Sequence, residues 1–213
     1  GKSGISKIAT FDTSQYDRHY GGEVKNFDPT KFISQRKVRR LGRASQMAVV
    51  ASKLALKDAH LTLGDVQGSR SGVCVGTTMG EPQIMERVDE RSFRKGDKLE
   101  YDSGSSMSYP ASSIANHVAN YLKFEAINTV FSTACSSGNY AIARAYDLIR
   151  TGKCDFMLAG GSDALSRIAF TGFGRLYAMA PEKCCPFCKN RQGMILGEGA
   201  AMVYLESIES ARK

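Results

Sequence analysis

The chain has 213 residues, 42% of them hydrophobic and 23% charged, with 21 Gly and no Trp. That is the composition of a soluble globular protein with room for one large domain or two small ones. It holds no run of about 18 apolar residues, so no membrane span is predicted, and "GKSGISKIATFDTS" lacks the layout of a signal peptide. The formal net charge of +8 points to an acidic partner: nucleic acid, an anionic membrane surface or an acidic protein.

The missing initial Met leads us to expect a trimmed or internal fragment. Residues 1–30 are polar and irregular and read as a loop segment packed on a domain. Six of the basic residues fall in "KFISQRKVRRLGR" (Lys31 to Arg43). This run is either a solvated helix face or a docking surface. It lacks the interleaved aromatics that stack bases, so nucleic acid is not expected. "ASQMAVVASKLALKDA" (44–59) puts Met47, Val50, Leu54 and Ala55 on one helical stripe. "SGVCVGTT" (71–78) is a short apolar strand ending in Gly and Thr. Residues 80–105 are charged and punctuated by Gly and Ser, and read as helix then loop. "SYPASSIANHVANYL" starts a helix at Ser108 and Pro110. His117 lies inside that helix, where a packing role is expected.

"NTVFSTACSSGNYAIARAYDLIRTG" (128–152) reads as a buried strand, a small-residue corner and an amphipathic helix. "CDFMLAGGSDA" gives a strand from Asp155 to Ala159 that breaks at Gly160-Gly161. "GFGRLYAM" is mixed Gly and aromatic. A final strand spans Ala200 to Glu206, and "IESARK" starts a helix. Apolar strands alternating with helices predict an α/β fold with a parallel sheet covered on both faces.

Six cysteines occur, at 74, 135, 154, 184, 185 and 188. A core this size needs no disulfide framework, which predicts a reducing, cytoplasmic setting. Cys185-Pro-Phe-Cys188 is formally a CxxC, but no second ligand pair has zinc spacing. His19, His60 and His117 are isolated, so neither a metal nor a cofactor is expected. Cys135 differs from the other five because it sits where a strand turns into a helix. Helix N-termini carry partial positive charge and unpaired N–H groups. Such a place favours a thiolate and supplies oxyanion donors worth about 3 to 4 kcal/mol each. Ala134, Ser136, Ser137 and Gly138 are small, so the turn can be sharp and the sulfur open. On pattern alone two readings stay open, a nucleophile or a small buried residue. Cys74 and Cys154 read as core.

The stretch "NTVFSTACSSGNYAIARAYDLIRTGKCDFMLAGGSDA" resembles the active-site region of β-ketoacyl-acyl-carrier-protein synthases. "GFGRLYAMAPEKCCPFCKNRQGMILGEGAAMVYLE" is similar to the next block of that family, and "FDTSQYDRHYGGEVKNFDP" to its N-terminal loop region. The likeness covers essentially the whole chain and is strongest to the elongating KAS I/II-like branch. It implies a thiolase-like fold, in which two similar halves each carry a five-stranded sheet covered by helices. Residues 1–213 would then be the N-terminal half, lacking its first strand. The resemblance implies that Cys135 takes an acyl chain from acyl carrier protein as a thioester. Malonyl-carrier protein would then lose carbon dioxide and attack it. The family's two catalytic histidines, a lysine and the second oxyanion donor come from the other half, so this chain alone is expected not to condense. A complementary C-terminal chain is therefore a possible partner. Met79 and Phe173 match positions lining the acyl channel; plain core packing is the alternative for Met79. Arg39 and Arg40 fall where the family places a docking patch for its acidic carrier protein. The "NTVFST" strand matches the one that pairs across a two-fold axis, implying a homodimer. The alternatives are a thiolase acting on coenzyme A and a non-catalytic chain-length factor. The long insertion before the cysteine speaks against the first. Cys135 speaks against the second, whose members typically lack that residue. One departure is that the usual "PFDxxRDG" reads "PFCKNRQG". Cys188 and Gln192 replace two acidic residues, and Arg191 loses carboxylate partners.

Overall fold

The computed structural model describes residues 2–95, 103–124 and 126–212. In chain order the first elements are β1 (Ile5–Lys7), β2 (Tyr20–Gly22), α1 (Gln35–Val38), α2 (Arg43–Asp58), α3 (Leu63–Val66), β3 (Ser71–Gly76) and α4 (Pro82–Lys95). They are followed by α5 (Ser103–Ser108), α6 (Ser113–Leu122), β4 (Ala126–Phe131), α7 (Ser137–Arg150), β5 (Phe156–Asp163), α8 (Arg167–Arg175), β6 (Gly199–Glu206) and α9 (Ile208–Ala211). They divide into two compact units, Gly1–Phe27 with Ala164–Gly199, and Asp28–Asp163 with Ala200–Lys213.

The larger unit is built on a sheet in the order β4-β3-β5-β6. β3 is parallel to both neighbours, with Cys74 level with Thr129 and Ala159. Every residue of β3 is buried, as the continuous apolar run requires of a central parallel strand. Residues alternate between faces. Cys74, Met157 and Ala159 pack with Ala141, Ala145 and Leu148 of α7. Ser162, of opposite parity to Met157 and Ala159, donates from Oγ to the Ala44 carbonyl of α2 (2.8 Å). Helices therefore lie on both faces of the four-stranded sheet. The resemblance implies five strands for a complete half.

Several expectations need correction. β5 runs through Gly160 and Gly161 to Asp163. The glycines serve closeness instead of a break: a Cβ on Gly160 would run into the Ala201 carbonyl oxygen of β6. β4 is not buried but forms the sheet edge, with Ile127 41% exposed. On α2, Met47 and Val50 are buried as expected, but Leu54 faces solvent, while Leu56 on another side of the helix is buried. α6 starts at Ser113, after a turn in which Ser113 N–H donates to the Pro110 carbonyl (2.8 Å). α5 ends where the helix was expected to begin, at Ser108. "GFGR" lies in α8, whose helix is capped by Ser166 Oγ accepting from Ala169 N–H (3.1 Å). Residues 96–102 of the expected loop lie outside the described residues.

α2 is capped from a distance. Gly42 holds the N-cap position and has no side chain to offer. The buried Glu81 carboxylate instead accepts from Ala44 N–H (3.2 Å) and Ser45 N–H (2.6 Å). Burial pushes the Glu81 pKa up, against the hydrogen bonds from Ser45 and Ala44. A Cβ on Gly42 would collide with that carboxylate. Ser45 Oγ also meets His117 Nδ1 (2.9 Å), and burial lowers the His117 pKa, which fits the packing role expected of it.

The smaller unit corrects the picture of residues 1–30 as loop alone. β1 and β2 pair antiparallel. Glu198, of the "GEGA" motif, accepts from Val24 N–H (3.0 Å) and Leu165 N–H (3.2 Å). Gly22 and Leu196 share a backbone hydrogen bond (2.8 Å). Ile8, Leu165, Phe170 and Met179 form its apolar centre.

Candidate active site

The C-terminal ends of parallel strands are where open α/β sheets collect functional groups. Here those ends present Thr77 and Thr78 after β3, Ser132 to Ser136 after β4, and Asp163 closing β5. Between β4 and α7 the chain makes one 3-10 turn, Ala134–Ser136. Ala134 has φ +52°, a left-handed conformation uncommon for a residue with a Cβ and typical of strained functional corners.

Ser137 holds the turn. It is buried, and its Oγ accepts from Thr133 N–H (3.0 Å). The same Oγ lies 2.6 Å from the Ala134 carbonyl and 3.1 Å from the Thr77 carbonyl. A hydroxyl has one proton, so these two carbonyls share it. Thr77 is itself fixed. Its N–H donates to the Phe131 carbonyl (2.9 Å) and its Oγ1 to Asp163 Oδ1 (2.9 Å). Asp163 also accepts from Thr78 N–H (2.7 Å) and Thr78 Oγ1 (3.2 Å). Gly76 lets β3 approach this turn: a Cβ there would strike the backbone of Ser137 and Gly138.

On this mount Cys135 is exposed. It sits in the 3-10 turn, two residues ahead of the first residue of α7, and so just outside the helix's first turn where it was expected. Cys74 and Cys154 are buried, as expected of core residues. Burial pushes the Cys74 thiol up to about 11 and raises that of Cys154 as well. Cys184 and Cys188 are exposed and Cys185 is half-buried. Arg191 Nη1 donates to the Cys188 carbonyl (3.2 Å) in an exposed turn.

The remaining expected site residues fall in both compact units. Met79 is exposed and precedes Gly80, whose φ is +73°. Phe173 is half-buried against the apolar centre of the smaller unit. Arg39 and Arg40 are exposed just after α1. His19 meets Thr13 Oγ1 (3.3 Å) and His117 meets Ser45. Among the described residues, no three His, Cys, Asp or Glu side chains are grouped as a metal requires.

Sequence reasoning missed Ala134 as a strained residue and the Ser137, Thr77 and Asp163 mount. The available signal was positional: three polar residues at the ends of three apolar parallel strands.

The family model described as "Beta-ketoacyl synthase, N-terminal domain" matches residues 1–211. The chain is 33% identical over 218 residues to 3-oxoacyl-[acyl-carrier-protein] synthase 2 of Staphylococcus aureus strain N315, covering 100% of this chain and 52% of that one. It is 31% identical to the Synechocystis sp. protein of the same description, covering 99% and 52%. Among solved structures it is similar to the ishigamide ketosynthase/chain length factor, with TM-score 0.95, 36% identity and coverage of 99% and 53%. It is also similar to a type II PKS ketosynthase solved with its acyl-carrier protein, with TM-score 0.82, 30% identity and coverage of 100% and 53%. The chain spans about half the length of the curated relatives it matches.

Iodoacetamide at neutral to mildly alkaline pH should alkylate Cys135 and leave Cys74 and Cys154 unmodified, because only a thiolate reacts and burial raises the latter two. Peptide mass mapping reads this directly. Modification of Cys74 at the rate of Cys135 would contradict the burial described.

Proposed function

Because the chain belongs to the β-ketoacyl synthase family over its N-terminal domain, we propose that it is the nucleophile-bearing half of a condensing enzyme of fatty acid or polyketide synthesis. The observation that carries this reading is the exposed Cys135 on a turn that opens at the strained Ala134 and is pinned by Ser137. In the proposed first step the Cys135 thiolate attacks the thioester carbonyl of an acyl-carrier protein. The new S–C bond forms as the carrier's thiolate leaves and takes up a proton. Cys135 N–H would donate to the oxygen that turns negative on the way. In the second step malonyl-carrier protein loses carbon dioxide. Its carbanion attacks the acyl-Cys135 carbonyl, a C–C bond forms, and the cysteine leaves as thiolate. The histidines and second oxyanion donor of this step are assigned to sequence beyond the stretch shared with the relatives. The presence of Cys135 favours a ketosynthase over a chain-length factor. We place Met79 and Phe173 on the acyl channel, and Arg39 and Arg40 on the carrier docking patch. A reducing, cytoplasmic setting belongs to the same proposal, all six cysteines being free.

Incubating the chain with acyl-carrier protein should add the acyl mass to the peptide holding Cys135, and the Cys135→Ala variant should stay unmodified. Acyl groups on Cys184 or Cys188 in its place, or none at all, would sink the assignment.

We also propose a homodimer formed through β4. Among the described residues this edge strand pairs on one side only. Ile127 of β4 and Tyr140, Ile142 and Tyr146 of α7 are exposed apolar residues, the kind of surface a second copy could cover. Sedimentation velocity should give twice the chain mass for the wild type and the single mass for Ile127→Lys with Tyr146→Glu. A wild type that sediments as a monomer at high micromolar concentration refutes the dimer.

A further inference from the structure

The proposed condensing chemistry uses none of the three late cysteines. They lie on the excursion 181–192 of the smaller unit. Backbone hydrogen bonds close its base: Ala180 N–H donates to the Met194 carbonyl (2.8 Å) and Met194 N–H to the Ala178 carbonyl (2.9 Å). Within it Cys188 N–H donates to the Cys185 carbonyl (3.3 Å). Pro186 takes the second position of that turn, and Phe187, with φ +63°, the third. This is the pattern of a type II turn. Phe is a costly residue for a left-handed conformation. Phe187 is fully exposed, so packing of its own does not hold it there. The Cys188 carbonyl accepts in turn from Arg191 N–H and Nη1 (3.2 Å each), which fixes the turn from its far side.

A turn of this kind brings its first and fourth Cα atoms within about 7 Å. A disulfide joins Cα atoms about 4.4 to 6.8 Å apart. Cys185 and Cys188 therefore stand at bridging range. Cys184 and Cys185 do not, because adjacent Cα atoms are only about 3.8 Å apart. Cys188 is exposed and Cys185 half-buried, an open thiol with a second one behind it. Lys183, Lys189 and Arg191 flank the turn against one acid, Glu182, a balance that draws anionic reagents.

We propose that Cys185 and Cys188 form a reversible dithiol–disulfide site that exchanges with an anionic low-molecular-weight disulfide of the glutathione class. The exposed Cys188 thiolate attacks one sulfur of that disulfide. A mixed disulfide forms on Cys188 and one small thiolate leaves. The Cys185 thiolate then attacks Cys188 Sγ, closes the bridge and expels the second small thiolate. The two cysteine protons end on the two departing thiols. The cysteines lose two electrons and the small disulfide gains them. The structure holds the reduced pair. An exposed bridge is a labile one, so excess thiol reopens it. The site uses neither Cys135 nor acyl transfer and is independent of both.

The test equilibrates the 213-residue chain with glutathione buffers from reduced to oxidised, quenches with N-ethylmaleimide and maps peptides by mass. Trypsin releases residues 184–189 as one peptide carrying all three thiols. Reduced buffer should leave all three alkylated. Oxidised buffer should leave Cys185 and Cys188 unalkylated and two hydrogens lighter, whatever Cys184 carries, and dithiothreitol should restore them. Cys185→Ser should trap glutathione on Cys188, and Cys188→Ser should load Cys185 several-fold more slowly. Cys135→Ser should form the bridge as the wild type does. Free Cys185 and Cys188 in oxidised buffer, or glutathione on wild-type Cys188 with no bridge, overturns the proposal. So does a bridge that joins Cys184 or one that needs Cys135. Loading of Cys185 as fast as that of Cys188 overturns the order of attack.

Discussion

The site depends on a close approach that only glycine permits. β3 ends at Gly76, and the first turn of α7 lies directly on it, where any Cβ would meet backbone. Across that contact the Ser137 hydroxyl reaches the Thr77 carbonyl of one strand end and the Thr133 amide of the next. Thr77 is held in turn by Asp163 from the third strand. Three strand ends are thus joined through one hydroxyl and one carboxylate. The strain at Ala134 persists because its surroundings over-determine it, and that strain presents the sulfur to solvent instead of to the core.

The rest of the larger unit follows from what this junction requires. A central strand flanked by parallel neighbours must be covered on both faces, because neither face can be polar. α7 covers one face with Ala141, Ala145 and Leu148, small enough to bring its start close to Gly76. α2 covers the other and needs its own start satisfied, which Glu81 does in place of a local cap. Helix starts on both faces are therefore held by polar groups from the β3–α4 connection. The short segment from Thr77 to Glu81 organises both sides of the sheet.

The fold class and the strand order along the chain were legible because continuous apolar runs and 3.6-residue stripes are local signals. Cys135 stood out as a candidate because small residues flank it, and the family resemblance implied a role for it. What escaped the sequence was relational. Nothing local shows that Gly160 serves contact with β6, that β4 is an edge, or that Leu54 is left exposed. Each depends on which element lies opposite. Asp163 and Ser137 were quoted within motifs, yet their task lies in bonds to Thr77, which is more than 50 positions away in each case. The "GFGR" helix was missed because its glycines argue against a helix, while the Ser166 cap and the packing of Phe170 hold it.

The central claim is that Cys135 is productive because the Ser137 hydroxyl pins its turn. The most direct measurement is the rate of acyl transfer from acyl-carrier protein to Cys135 in Ser137→Ala, beside the iodoacetamide rate at Cys184. The account predicts transfer slowed by about tenfold or more, as loss of positioning at a nucleophile does, with Cys184 unchanged. Transfer at the wild-type rate in a folded Ser137→Ala chain would contradict it.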